Sequence, residues 1–83
     1  MGTYIDVHKN LKGATLQEVA EAHAKDLAVQ EKHGVKFLKC WVDQKAGMVF
    51  CLSEAPDIGA PTRVHKEAHG LLPDETFETS EVP

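Results

Sequence analysis

"VKFLKCWVDQKAGMVFCLSEA", residues 35–55, decides the fold. Its two outer parts, "VKFLKCWVD" and "MVFCLSE", are rich in β-branched and aromatic residues, and "DQKAG" between them suits a type I turn with Gly47 in the left-handed position. A hairpin follows. Pairing Gln44 with Met48 puts Leu38, Cys40, Val42, Phe50 and Leu52 on one face, and Phe37, Lys39, Trp41, Asp43, Val49, Cys51 and Ser53 on the other. The second set is too mixed in character to be simple core. In this register Cys40 and Cys51 point to opposite faces, which argues against an internal disulfide, and both are expected as reduced thiols.

Upstream of the hairpin, "TLQE" at 15–18 fits a capping box, in which the Thr15 hydroxyl accepts from an early amide and Glu18 reaches back. A helix is expected over Leu16–His33, ended by Gly34 in a left-handed conformation that glycine adopts without steric cost. At about 100° per residue, Leu16, Val19, Ala20 and Leu27 form its buried stripe. His23 and Gln30 fall inside that arc, Asp26 on its border and His33 further round. Before the polar connector "KNLKGA", "TYIDVH" at 3–8 alternates Thr3, Ile5, Val7 against Tyr4, Asp6, His8, the period of a strand.

Downstream, "APD" breaks the second hairpin strand, and a helix is expected over Ile58–His69, with Asp57 as its cap and Gly70 as its stop. Pro61 is tolerated in the first turn, where its missing amide is not needed. "TFETSEV" reads as an edge strand. The order is βαββαβ, an α+β ferredoxin-like domain over 1–83, with a four-stranded antiparallel sheet, both helices on one face and residues 79–83 frayed.

With 42% hydrophobic and 27% charged residues the composition is globular, and a net charge of −4 with scattered cations provides no basic stripe. Nucleic acid and membrane are therefore not expected partners. A chain of 83 residues buries a marginal core, so a homodimer is expected. The N-terminal sequence lacks the apolar run of a signal peptide, and Asp6 stands where myristoylation needs Ser or Thr; the expected compartment is the cytoplasm.

Two regions carry candidate chemistry. In "HKEAHG", residues 65–70, His65 and His69 lie one helical turn apart and can clamp one metal ion, with His23 of the first helix as a third nitrogen or a hydrogen-bonded core residue. The plain alternative is two helix-surface histidines, His69 also favoured by the negative helix end. The second region is the outer sheet face, where Tyr4, Asp6 and His8 share a surface with Lys39, Trp41 and Cys51. That face reads either as a divalent-metal site or as a dimer interface anchored by Trp41, two such faces closing a barrel. No phosphate loop, C-x-x-C or nucleophile elbow is present, and nothing places a base beside Cys51.

The segments "AEAHAKDLAVQEKHGVKFLKCWVD", "AGMVFCLSEAP" and "VHKEAHGLLPDE", taken together, resemble the small ferredoxin-like nickel-binding proteins, formerly a domain of unknown function, from about Tyr4 to Phe77. The resemblance implies a dimeric α/β barrel closed sheet against sheet, nickel binding without an assigned reaction, and His23, Asp26, His33, His65 and His69 as candidate ligands. "PDIGAPTRVH" departs from the family pattern at Gly59 and Pro61, which shortens or kinks the start of the second helix. Imidazole-rich sites also take copper or zinc in place of nickel. A binding or buffering role is the first expectation. The alternative is a dimeric barrel enzyme or small-molecule binder, of oxygenase or isomerase type, with its pocket on the sheet face.

Overall fold

The computed structural model describes residues 1–83. The elements are β1 (Gly2–His8), α1 (Leu16–Val29) followed by a 3-10 turn (Gln30–His33), β2 (Lys36–Asp43), β3 (Met48–Ala55), α2 (Ala60–Ala68) and β4 (Glu75–Thr79). The strands form one antiparallel sheet in the order β2-β3-β1-β4, as the βαββαβ reading requires. β4 is an edge strand.

The local signals for element ends act as expected. Thr15 accepts from the Glu18 amide and Glu18 from the Thr15 amide, both at 3.1 Å, completing the capping box. α1 gives way to the tighter turn at Gln30, and Gly34 ends it at φ 70°. α2 is shorter than expected, beginning at Ala60 rather than Ile58. Gly59, not the expected Asp57, is its N-cap, with no side-chain capping bond; the Asp57 carboxylate accepts the Gly59 amide at 2.9 Å just ahead of the helix.

The hairpin register differs from the expected one. Asp43, not Gln44, pairs with Met48, so Cys40 stands opposite Cys51 and Trp41 opposite Phe50. A bulge at Leu38 then shifts β2, and Phe37 pairs with Ser53. Its anchor is Gln30, whose side-chain oxygen accepts the Phe37 amide at 2.9 Å. The buried amide of the first helix thus finds its partner in a strand. Gly47 is required in the loop for space as well as conformation: at φ 71° a Cβ would lie 2.5 Å from the Lys12 backbone nitrogen.

The shift reassigns both faces of the sheet. Under the helices lie Tyr4, Asp6, His8, Phe37, Cys40, Val42, Val49, Cys51 and Ser53, and Cys40 and Cys51 share that face instead of pointing apart. Thr3, Ile5, Lys39, Trp41, Phe50, Leu52 and Phe77 take the open side. The expected surface joining Tyr4, Asp6, His8 and Cys51 to Lys39 and Trp41 does not exist. It fails because a one-residue slip moves every side chain of a strand to the opposite face.

α1 is rotated from its expected seat. Leu16 is 61% and Leu27 43% exposed, Ala20 is exposed, and Asp26 is the one fully buried residue of the helix. Val19, Ala22, His23 and Val29 flank it at partial burial. Hydrophobicity placed the stripe on the leucines, but Asp26 is drawn inward by a cationic partner from α2. In α2 the buried residues are Ala60, Pro61, Val64 and His65, while Leu72 beyond the helix is exposed.

Candidate metal centre

Below the helices five side chains from three elements form a continuous carboxylate–imidazole chain. Asp6 and His8 come from β1, where alternation sends both to the inner face, Asp26 from α1, His65 from α2 and His69 from its C-terminal end. His8 Nε2 lies 3.1 Å from Asp6 Oδ1, and Asp6 Oδ2 lies 3.0 Å from His65 Nε2. His65 Nδ1 lies 2.9 Å from Asp26 Oδ1, and His69 Nε2 reaches that same oxygen at 2.9 Å. Asp6, His65, Asp26 and His8 are 0, 1, 3 and 6% exposed, so water does not share these contacts.

The partners assign the protons. Each nitrogen of His65 faces a carboxylate, so both donate and the ring is an imidazolium. Burial alone would lower its pKa, but hydrogen bonds to Asp26 and Asp6 prevail and raise it to about 9. Burial likewise pushes Asp6 upward, and hydrogen bonds from His65 and His8 outweigh it and hold the carboxyl below its ordinary value. His69 differs: its Nδ1 accepts the Leu71 amide at 3.0 Å, so Nε2 carries the proton of the neutral ring and faces Asp26. Two carboxylates against one imidazolium leave about one negative charge in excess, an electrostatic bias toward a cation.

A partly open cavity of about 210 Å³ adjoins the chain, lined by His8, Asp26, His65 and His69 together with His23, Cys40 and Cys51 and a mainly apolar remainder. His23 Nδ1 is buried there without a hydrogen-bond partner. Such an atom is destabilising by about 1–3 kcal/mol unless something meets it.

Two groups of ligand atoms lie within 4.8 Å of one another: Asp26, His65 and His69, and Asp6, His8, Cys51 and His65. A carboxylate with two imidazoles suits a first-row divalent ion of the nickel, copper or zinc kind, and the orphaned His23 nitrogen lies in the same cavity wall. The residues present therefore fit a transition metal.

The structure separates other candidates from this centre. His33 Nε2 lies 3.2 Å from Glu67, which also pairs with Lys32, away from the cavity. Tyr4 is buried in the hydrophobic core and does not line the cavity, and Trp41 is 48% exposed on the open side of the sheet. Asp6, His8 and Cys51, expected on a separate outer surface, join the histidines of α2 in one interior site. Their role beside His65 was not readable from α2, because only the sheet register carries it; the buried parity of Asp6 and His8 was the available signal.

The fold is that of a small α+β protein with a four-stranded antiparallel sheet of ferredoxin-like order. The chain belongs to the nickel responsive protein SCO4226-like family, whose model matches residues 4–78. The crystal structure of SCO4226 from Streptomyces coelicolor A3(2) is similar to it, with a TM-score of 0.92 and 37% sequence identity over 98% of this chain and 99% of that one. No curated protein matches the chain.

Proposed function

We propose that this protein binds a divalent transition metal, nickel in the first instance, through Asp26, His65 and His69, in a binding or buffering role and without a catalysed reaction. The observation that carries this reading is the single oxygen Asp26 Oδ1, approached at 2.9 Å by an imidazole nitrogen from each of His65 and His69. The family's nickel-responsive description supports the choice of metal.

Metal-free, these donors are occupied by protons, and an entering ion replaces them. His65 must lose a proton that it holds up to about pH 9, and His69 must free Nε2 by moving its proton to Nδ1, which ends the bond from Leu71. Affinity should therefore climb from neutrality through about pH 9, rather than levelling off near an ordinary histidine pKa. Nickel titration calorimetry in buffers of different ionisation enthalpy measures both affinity and protons released. Proton release and a loss of at least about tenfold in affinity for Asp26→Asn and His69→Ala are expected. Undiminished nickel binding in both variants overturns the assignment.

The open side of the sheet supports a homodimer. Leu38, Trp41 and Phe77 are 42, 48 and 48% exposed there, beside half-buried Ile5, Phe50 and Leu52. Contiguous apolar surface of this kind marks an interface. A second copy packed sheet against sheet would cover it, making each single-domain protomer half of a barrel. Sedimentation velocity at micromolar concentration tests the dimer, and a monomer under those conditions removes it.

The small-molecule reading is retained for one observation, the mainly apolar lining of the 210 Å³ cavity beside a polar chain. A ligand seated there in a crystal of metal-free protein would favour it.

A further inference from the structure

Cys40 and Cys51 face each other directly across β2 and β3, with sulfurs 3.6 Å apart. Directly opposed residues of an antiparallel pair hold their Cα atoms about 4.5–5.5 Å apart. That separation lies inside the range of about 4.4–6.8 Å spanned by disulfides. The strands need no change of register to join the two sulfurs. Both cysteines are free thiols and both line the cavity, Cys51 at 3% exposure and Cys40 half-buried.

We propose that Cys40 and Cys51 form a peroxide-sensitive dithiol in the cavity wall, in which Cys40 is oxidised first and Cys51 resolves it to an intramolecular disulfide. The difference in exposure sets the order, since an oxidant entering from solvent meets Cys40 before Cys51. The thiol chemistry agrees. The hydrogen bond from Cys51 holds Cys40 below the ordinary thiol range, whereas the bond to Cys40, burial and the nearby Asp6 carboxylate push Cys51 up.

In the first step the Cys40 thiolate attacks one oxygen of hydrogen peroxide. An S–O bond forms, the O–O bond breaks, and the departing hydroxide takes a proton to become water. In the second, the Cys51 sulfur attacks the sulfenic sulfur of Cys40. The S–S bond forms, the S–O bond breaks, and hydroxide leaves with the Cys51 proton as a second water. Two thiols are oxidised by two electrons and one peroxide is reduced to two waters. Because Cys51 belongs to the group formed with Asp6, His8 and His65, closure also removes a sulfur donor from beside the metal centre. The dithiol chemistry itself stands whether or not the metal assignment does.

The test uses the full chain stripped of metal and held in chelator, treated with hydrogen peroxide and followed by intact mass, thiol count after denaturation and non-reducing electrophoresis. Both thiols should disappear together, with a mass loss of two hydrogens, no linked dimer and full reversal by dithiothreitol. Retained thiols, accumulation of sulfinic acid or an interchain disulfide overturns the pairing. The order is read in the unmodified sequence by trapping sulfenic acid with dimedone at early times and mapping the label by peptide mass. Label on Cys40, accumulating further in Cys51→Ser, supports the assigned roles. Label on Cys51 at an equal or greater rate overturns them.

Discussion

The two faces of the sheet invert the usual division between inside and outside. Beneath the helices, two aspartates and two histidines are at most 6% exposed, while on the open side Leu38, Trp41 and Phe77 are 42–48% exposed. Burying charge is unfavourable unless it is paired, and here every interior carboxylate meets at least one imidazole at hydrogen-bond distance. An apolar open face is unfavourable in water unless something covers it. The difference teaches that chemistry occupies the space a small domain ordinarily reserves for hydrophobic core, and that apolar side chains are displaced to the open side of the sheet. The hydrophobic core is correspondingly modest, with Val35, Phe37, Val49, Ala55, Ala60 and Val64 among its members.

The sharpest way to break this contrast is from the inside. Asp6→Asn leaves the His65 imidazolium short of one of its two counter-charges, and a loss of about 3–5 kcal/mol in urea-unfolding stability is expected. A loss below about 1 kcal/mol would show that the interior chain is not charged as assigned. A pH series on the metal-free protein probes the same pair without mutation. The His65 pKa is raised from 6.5 to about 9, so its stabilisation is complete below pH 6.5 and lost as pH rises through 9. The fall should be on the order of 3 kcal/mol across that window. A flat profile would count against the imidazolium.

On the outside, Trp41→Glu should weaken the proposed dimer by about 2 kcal/mol or more, roughly a 30-fold rise in dissociation constant seen by sedimentation. The interior network should be unaffected. Smaller still, Thr15→Ala removes one half of the capping box and should lower stability by about 1 kcal/mol in the same unfolding assay. His33→Ala should leave nickel affinity unchanged, because that ring meets Glu67 and does not line the cavity. A loss of binding there would redraw the boundary of the centre.

Much of the architecture was legible because it rests on neighbouring residues. Thr15 with Glu18, Gly34, Gly47 and Gly70 marked the element ends, and alternation in "TYIDVH" marked β1. These are interactions within a turn or along one strand. The candidate centre was half legible. His65, His69 and Asp26 were named, but His69 and His65 as a simple pair understated a chain that runs on through Asp6 to His8. Asp6, His8 and Cys51 were assigned to a face shared with Trp41, and Cys40 was set apart from Cys51, because the assumed hairpin paired Gln44 rather than Asp43 with Met48; the bulge at Leu38 lies beyond these residues and only brings Phe37 back opposite Ser53. Gln30 holds that bulge from a different element, and no local pattern in β2 announces it.

The order of elements, their approximate ends and the identity of the imidazole-bearing helix were determined by the amino-acid sequence itself, since each depends on backbone conformation and periodicity over a few residues. The seat of α1, the shared face of the two cysteines and the union of Asp6 with His65 were decided only by tertiary structure. Hydrophobic periodicity ranks side chains by their transfer from water. Asp26 is a charged residue that periodicity alone would leave at the edge of the buried stripe, and it is buried because a cation from another helix stands 2.9 Å away. Electrostatic pairing between elements distant in sequence leaves no period along the chain.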